Sequence, residues 1–518
     1  MLQNILDFQI LGISGGGWFT ILVVLALFVA MIFTKIRTDI VFLGAMTLLF
    51  VSGVVDAKGA FGGLSSESVL VVAVLYIVIE GLTYTGVLNW MVKHLMGSPK
   101  SLAGAITRIV LPVAVLSSVL TNTTVVALFI NIVKIWSKKL GIAPSKLLIP
   151  LSYAAGMGGI CTLIGTPPNL IISGLYTERT GIALNIFTTT ACGLFCLAVG
   201  LLSLIVMQKL LPTRNSPLTA ASDEDFTIEL KVPSDHPFIG MTLQEIYDQN
   251  PQGFENIKGS ILAIRRFDNE VEVASPDSFI MGADHIIVSG KAKELQWLCK
   301  NLNLQNEHLK GVLENEVDDS AIGRKTIVSS AIMVAMILLS AFKVMPLLSC
   351  CLLAAAAMII CKCCTSDQAM KSINWEIVMI FAGSFCVGKA LGDTGVAEMV
   401  AQGLLNVCGT NPYIVLIVMC LVATFITEFI SNTATAAMFF PIAMSAATTL
   451  EVNPLTFCIA LMIAASSSFA TPIGSATHML VYSPGGYKFT DFVKIGLPMN
   501  FIILAANVFI TTIMFPLR

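Results

Sequence analysis

The stretch TEFISNTATAAMFFPIA (427–443) decides how this chain is read: Ser431, Asn432 and Thr433 sit inside an apolar run that holds no Lys or Arg. A counterpart, Thr121-Asn122-Thr123, lies 310 residues earlier in an equally apolar setting. At that offset residues 121–144 match 431–454 at Asn122, Thr123, Ala127, Phe129, Ile132, Leu140 and Pro144. With one residue deleted, Thr162, Ile164 and Gly165 correspond to Thr471, Ile473 and Gly474. Upstream, Leu82, Thr85, Gly86 and Val87 correspond to Leu391, Thr394, Gly395 and Val396. The chain therefore carries an internal repeat with a polar motif in each half.

Around these motifs the composition is that of a polytopic membrane protein. Of 518 residues, 56% are hydrophobic and only 12% charged, with mean hydropathy +0.84, against about 25% charged residues in soluble domains. A net charge of −2 argues against nucleic acid as a partner. Residues 1–17 hold no Lys or Arg, so they lack the positive start of a secretory signal, and the first apolar segment is expected to be retained. The thirteen cysteines fall mostly in apolar segments without the spacing of a disulfide framework. Cys361, Cys363 and Cys364 cluster around Lys362; their spacing fits no usual zinc site, and the reading as small apolar fillers is preferred to a metal or lipid attachment site.

Apolar segments long enough to cross a bilayer fall at 18–34, 39–55, 69–92, 147–177 and 186–211, and again at 326–343, 346–361, 375–405, 455–483 and 491–516. The regions 101–137 and 412–450 are too long for one crossing and polar at their centres, as re-entrant hairpins are. The distribution of Lys and Arg orients this layout. Lys35 and Arg37 place the end of the first crossing in the cytoplasm and the N-terminus outside. Lys93, Lys100, Arg108, Lys134, Lys138, Lys139 and Lys146 make the first hairpin cytoplasmic at both ends, while no Lys or Arg occurs between Lys389 and Lys488, which puts the second outside. Ten crossings and two hairpins close the count, with both termini outside. Halves of five crossings have opposite orientation, the inverted repeat of many alternating-access carriers.

Residues 213–322 differ in kind. Asp223-Glu224-Asp225 opens a polar linker, and HPFIGMTLQEI (236–246) reads as a turn followed by a helix. Residues 259–290 alternate like strands around turns at Asp268-Asn269 and Gly282-Ala283, and KAKELQWLCKNL (291–302) closes as a helix. This is a small cytoplasmic α/β domain between two membrane repeats, 1–212 and 323–518, with no catalytic constellation. The expected fold class is thus an all-α polytopic membrane protein with that α/β insert.

The chemistry lies in the breaks. Backbone leaves its helix in a membrane only where protein or a water-lined cavity covers it. The two Asn-Thr tips each open a half-helix with favoured capping residues. GICTLIGTPPN (159–169) stops one half-helix near Gly165 and starts another at Pro167, and FATPIGSATH (469–478) repeats this with Pro472 and Gly474. Half-helix N-termini, Asn amides and hydroxyls attract an anion without any basic residue, and carbonyls freed at the same breaks suit Na⁺. One Ser-Asn-Thr run is ordinarily an interhelical hydrogen-bonding patch; two, in matched positions and each followed by an interrupted helix, point to a site. Glu428 reads as a brace for the second hairpin rather than a proton carrier, Glu80 as close to a break at Gly81, and Asp393 and His478 as near the outer interface. A dianion entering against 100 mV costs about 4.6 kcal/mol, so cation coupling is expected, three Na⁺ being enough to reverse the sign.

These strings, together with VYSPGGYKFTDFVKIGLP (481–498), resemble the divalent anion:sodium symporter family of SLC13-type sulfate and dicarboxylate carriers. The resemblance covers nearly all of the membrane part. It implies a homodimer with a scaffold and a moving transport domain that carries the hairpins. It places the anion at Thr121, Asn122, Thr123, Ser431, Asn432 and Thr433, with Thr166 and Thr471-Pro472 at the breaks. It places sodium around Ser117, Thr121, Asn122, Cys161 and Gly165 in one half, and around Thr427, Asn432, Ala470 and Gly474 in the other. Thr121 departs from the family's usual Ser, which narrows the pocket by a methyl group. Residues 232–300 resemble the TrkA-C half-domain of potassium-channel regulators, a module that binds small ligands or nucleotides elsewhere; here a dimerising spacer is an equal reading. The expected function is sodium-coupled import of a small divalent oxyanion, sulfate favoured, by elevator-like alternating access. A C4-dicarboxylate is the alternative substrate. A sodium/proton antiporter or metalloid exporter, or a ligand-gated protein ruled by residues 213–322, are the alternative classes.

Overall fold

The computed structural model describes residues 9–10, 13–34, 36–85, 99, 101–214, 225–232, 237, 239–249, 261–265, 271–273, 278–280, 284–291, 324–342 and 344–517. The chain divides into two compact units, Met1–Ser216 with Gly323–Arg518, and Pro217–Ile322.

The smaller unit holds a four-stranded antiparallel sheet in the order Asp225–Lys231, His285–Lys291, Ile261–Arg265, Val271–Val273, with a helix at Leu243–Gln249. Its first strand corrects the reading of a linker opening at Asp225. Phe226, Ile228 and Leu230 alternate with Thr227, Glu229 and Lys231, the period of two of a half-buried strand. Polar composition masked that pattern. The two expected turns at 268–269 and 282–283, and the closing helix beyond Lys291, lie outside the described residues.

Among the described residues, the regular structure of the larger unit is helical apart from a two-residue ladder at Gln9–Ile10 and Ile13–Ser14. Its first half contains α1 (Gly15–Phe33), α2 (Thr38–Val51), α3 (Glu67–Tyr84), α4 (Leu102–Ser117), α5 (Asn122–Lys139), α6 (Ser145–Gly159), α7 (Pro167–Thr180) and α8 (Thr190–Val206). The second contains α9 (Arg324–Ala341), α10 (Leu347–Ile360), α11 (Trp375–Asp393), α12 (Val396–Cys408), α13 (Pro412–Ile426), α14 (Asn432–Thr449), α15 (Pro454–Ala465), α16 (Ala476–Tyr482) and α17 (Phe489–Met514). Caps written in the sequence start many of these. Ser101 accepts from Gly104 N, Asn411 from Tyr413 N and Asn453 from Leu455 N, the last two just before a proline at the first helical position.

Residues 375–405 are not one crossing. The helix stops at Asp393, Gly395 takes φ 73° and α12 begins at Val396; Gly409, at φ 75°, then turns the chain by 113° into α13. Left-handed backbone of this kind favours glycine. Gly81, by contrast, breaks nothing: α3 runs through it to Tyr84, and a Cβ there would stand 2.8 Å from Met358 Sδ. Among the described residues five helices are long and apolar enough to cross a membrane, six with the bent α12–α13 joined. The remaining apolar helices are shorter, among them α4, α5 and α15 of the hairpins and broken helices, and α2 and α10 outside them.

The halves interlock. α4 packs on α6 as α13 packs on α15, α7 packs on α14 as α16 packs on α5, and α8 packs on α17. Outside this group, α1, α2 and α11 pack together, as do α3, α9 and α10. Leu22, Leu25, Phe33, Leu202, Val206 and Ile360 face outward, an apolar surface of the kind lipid covers.

Candidate anion and cation site

The first tip lies where α4 ends at Ser117 and α5 begins at Asn122. Ser117 Oγ donates to Asn122 Oδ1 at 2.6 Å, and the same amide oxygen stands 3.3 Å from Gly165 O and 3.2 Å from Ala155 O. Carbonyl oxygens that face one another with no proton between them repel. Two things relieve the crowding: a cation among the oxygens, or an amide turned so that its nitrogen points its two protons at them. The break after α6 closes this cluster. Thr162 Oγ1 donates to Ser118 O, and Gly165 N donates to Thr162 Oγ1 at 3.1 Å. A Cβ on Gly165 would sit 2.5 Å from Gly159 O and 2.9 Å from Ser117 O, so only glycine brings its carbonyl this close.

The second tip repeats the main bonds of this construction. Thr427 Oγ1 donates toward Asn432 Oδ1 and Ala465 O, both at 2.8 Å. Thr471 Oγ1 donates to Glu428 O at 2.8 Å, as Thr162 does to Ser118 O, and Gly474 N donates to Thr471 Oγ1 at 3.0 Å, as Gly165 does to Thr162. Three side chains set the halves apart. Ser468 stands where Gly159 stands in the first half, and its hydroxyl lies 3.2 Å from Asn432 Oδ1 and 3.1 Å from Gly474 O. Glu428 stands where Ser118 stands. It is 4% exposed, and its carboxylate accepts from Ala470 N (2.8 Å), Thr471 N (2.7 Å) and Asn500 Nδ2 (2.6 Å). The third, Asn500, also accepts from Phe469 N at 3.1 Å, whereas in the first half Thr190 Oγ1 donates to Cys161 O at 2.7 Å.

The residues named from sequence are distributed as follows. Ser117, Asn122 and Gly165 converge on one cluster, and Thr427, Asn432 and Gly474 on the other. Ser431 caps α14 by accepting from Ala434 N, whereas Thr121 Oγ1 meets Thr124 Oγ1 at 2.7 Å. Thr123 lines an open cleft of about 640 Å³ with Thr124, Ala127, Ala476, Met479 and Leu480. Thr433 is buried. Thr166 precedes α7 without a side-chain cap, and Thr166 and Pro472 make no side-chain hydrogen bond to either motif. Cys161 donates its thiol to Met157 O, and its carbonyl is engaged by Thr190; Ala470 meets Glu428 through its N–H. Of the cysteine cluster, Cys363 and Cys364 are buried and Cys361 exposed, all as free thiols.

Sequence reasoning missed the carbonyls of Ala155 and Ala465, and Ser468, Asn500 and the role of His478. His478 is no interface residue. It is 2% exposed; its Nε2 donates to Ser468 O at 2.7 Å and its Nδ1 accepts from Ser152 Oγ at 2.5 Å. A carbonyl only accepts, so the proton sits on Nε2 and Ser152 supplies the other bond. Tyr153 OH donates to Phe469 O at 2.6 Å beside it. These bonds tie α6 of the first half to the broken helix of the second. The one available signal was the alignment of His478 with Asn169 in the repeat.

Broken helices and hairpins interlocked around two oxygen clusters, inside a shell of apolar helices, define a multi-pass membrane carrier, not an enzyme. The crystal structure of the Alcanivorax borkumensis YdaH transporter is similar in fold, with TM-score 0.52 at 11% identity over 96% of this chain and 97% of that one. A family model described as a citrate transporter (CitMHS) matches residues 28–447 and 352–517, and the chain belongs to that family. An uncharacterised transporter of Synechocystis, sll0640, is 26% identical across 89% of this chain and 91% of its own length. Sodium/sulfate cotransporter 1 of Chlamydomonas reinhardtii is 30% identical over 54% of this chain and 32% of its own.

Proposed function

We propose that this protein imports a small divalent oxyanion, sulfate foremost, together with sodium. The observation that carries the reading is the pair of oxygen clusters at matched positions, each beside an Asn whose amide nitrogen has no partner among the described residues. Oxygen ligands of this number and kind suit a hard monovalent cation, while amide and hydroxyl donors at half-helix starts suit an anion. The similarity to a sodium/sulfate cotransporter favours sulfate; the family's description favours a carboxylate as the second reading. The anion site comprises Thr121, Asn122, Thr123, Ser431, Asn432 and Thr433. In the proposed cycle both hairpins and their broken helices move as one body, held together through Ser152, His478 and Tyr153, against α1, α2, α3, α9 and α10. The protomers pair as a homodimer, the two halves lie inverted in the bilayer with residues 213–322 in the cytoplasm, and that unit serves as spacer or ligand sensor.

The test is uptake of labelled sulfate into proteoliposomes with and without an inward Na⁺ gradient, with unlabelled succinate and citrate as competitors and Asn432→Ala as the control. Na⁺-driven sulfate uptake that the variant loses and the carboxylates leave untouched is the expected result. Carboxylate counterflow in its place moves the substrate to the second reading. No uptake of either would sink the symporter.

A further inference from the structure

We infer that the side-chain amides of Asn122 and Asn432 act as two-position switches that couple cation binding to anion binding without any movement of the backbone. The inference rests on the sodium-coupled reading above and supplies its coupling device. A half-turn about the terminal torsion of an asparagine exchanges oxygen and nitrogen at almost the same positions, and that torsion is broad and two-fold. Each amide has one end in its oxygen cluster. Both residues are only half-buried, and neither nitrogen has a hydrogen-bond partner among the described residues.

Counting protons shows why the inner end matters. The second cluster has four oxygen–oxygen contacts, Thr427 to Asn432 and to Ala465, and Ser468 to Asn432 and to Gly474. With Asn432 Oδ1 inward, only the two hydroxyl protons are available for all four. Two contacts are then oxygen against oxygen, which a cation resolves. With the nitrogen inward, its two protons go to the two hydroxyls, the hydroxyl protons go to Ala465 O and Gly474 O, and every contact is satisfied. In the first cluster the turned Asn122 nitrogen offers its two protons to Ser117 Oγ, Gly165 O and Ala155 O, which relieves the oxygen–oxygen crowding with one proton shared.

The cation-free cluster therefore draws the nitrogen in and leaves the amide oxygen facing the anion's space, where it repels. A cation draws the oxygen in and turns the NH₂ outward, where it donates to the anion. Both ligands select the same orientation, so each raises the other's affinity, and by the same factor. A hydrogen bond to a charged partner gained in place of a repelling oxygen corresponds to roughly tenfold to a hundredfold per amide.

Aspartate at these positions removes the choice, because it presents oxygen in both directions. The experiment uses the purified full-length chain in detergent and compares wild type with Asn432→Asp and Asn122→Asp. Labelled sulfate, succinate and citrate are the anion probes, each titrated against NaCl at constant ionic strength with choline, and thermal midpoints report Na⁺ binding alone. In wild type, Na⁺ is expected to tighten binding of the accepted anion at least tenfold. In each variant Na⁺ still raises the thermal midpoint, at equal or lower concentration, whereas anion binding at saturating Na⁺ falls at least tenfold and its dependence on Na⁺ vanishes. A variant that binds the anion with the wild-type Na⁺ dependence overturns the switch while leaving the symporter standing. A wild type in which Na⁺ alters the binding of none of the three anions overturns both. The Na⁺-dependent midpoint distinguishes a folded variant from a collapsed one, and the two halves give independent trials.

Discussion

Gly165 and Glu428 show how single residues hold the tips. The carbonyl of Gly165 reaches Asn122 only because no side chain intervenes, and a methyl group there meets the backbone oxygens of Gly159 and Ser117. Gly165→Ala is expected to cost about 1–3 kcal/mol by overpacking and to abolish uptake. Gly44→Ala, with nothing within 4 Å of the new methyl, should leave both unchanged or slightly improved. Thermal midpoints and flux measured together check this; equal behaviour of the two variants would refute the packing argument. Glu428 answers three donors at once, so Glu428→Ala leaves three buried N–H groups unpaired and is expected to lower the thermal midpoint more than Glu428→Gln. The sequence reading of Glu428 as a brace agrees with these bonds. The matching importance of Asn500, 72 residues away, left no local trace.

At the scale of elements, breaks rather than helices carry the design. In the 159–169 stretch Pro167 restarts a helix as expected, but α6 already ends at Gly159 rather than near Gly165. In 469–478, α15 has ended at Ala465 and the restart at Ala476 is capped by Ser475 rather than begun at Pro472. The Asn-Thr tips open α5 and α14. Gly395 is the break that apolar length concealed: 375–405 is uniformly hydrophobic enough to pass for one span, and only the φ of 73° reveals α11 and α12 as separate. Its Cβ would meet nothing within 4 Å, so Gly395→Ala isolates the backbone cost, expected at about 1–2 kcal/mol. A thermal midpoint identical to wild type would show that residue 395 relaxes out of the left-handed region. The strand at Asp225–Lys231 escaped for the opposite reason: acidic neighbours disguised a clean alternation.

For the whole molecule, the decisive feature is that the halves are bonded to each other. Ser152 of α6 reaches His478, His478 reaches Ser468, and Ser468 lies against Asn432. The orientation of the second motif thus depends on a helix of the first half. Ser152→Ala and His478→Phe each break this chain at one link, and together they should cost less than the sum of the two, by about 0.5–3 kcal/mol of coupling. Additive losses in thermal stability would show that the two side chains act separately. A second tie, Arg214 Nη1 to Asp491 Oδ2 at 2.7 Å, joins the end of the first half to the start of α17.

The sequence by itself determined the class of molecule and several of the places where helices break, because hydropathy, proline, glycine and capping residues act over a few neighbours along the chain. It also pointed to the two motifs, since polar side chains in an apolar run need a reason. What the tertiary structure decided is which oxygens meet. The carbonyls of Ala155 and Ala465 come from residues whose side chains carry no signal, and Ser468, His478 and Asn500 acquire meaning only from partners brought together across both halves. Backbone carbonyls are the same in every residue, so no sequence pattern announces them; only the packing of interrupted helices turns them toward a common point.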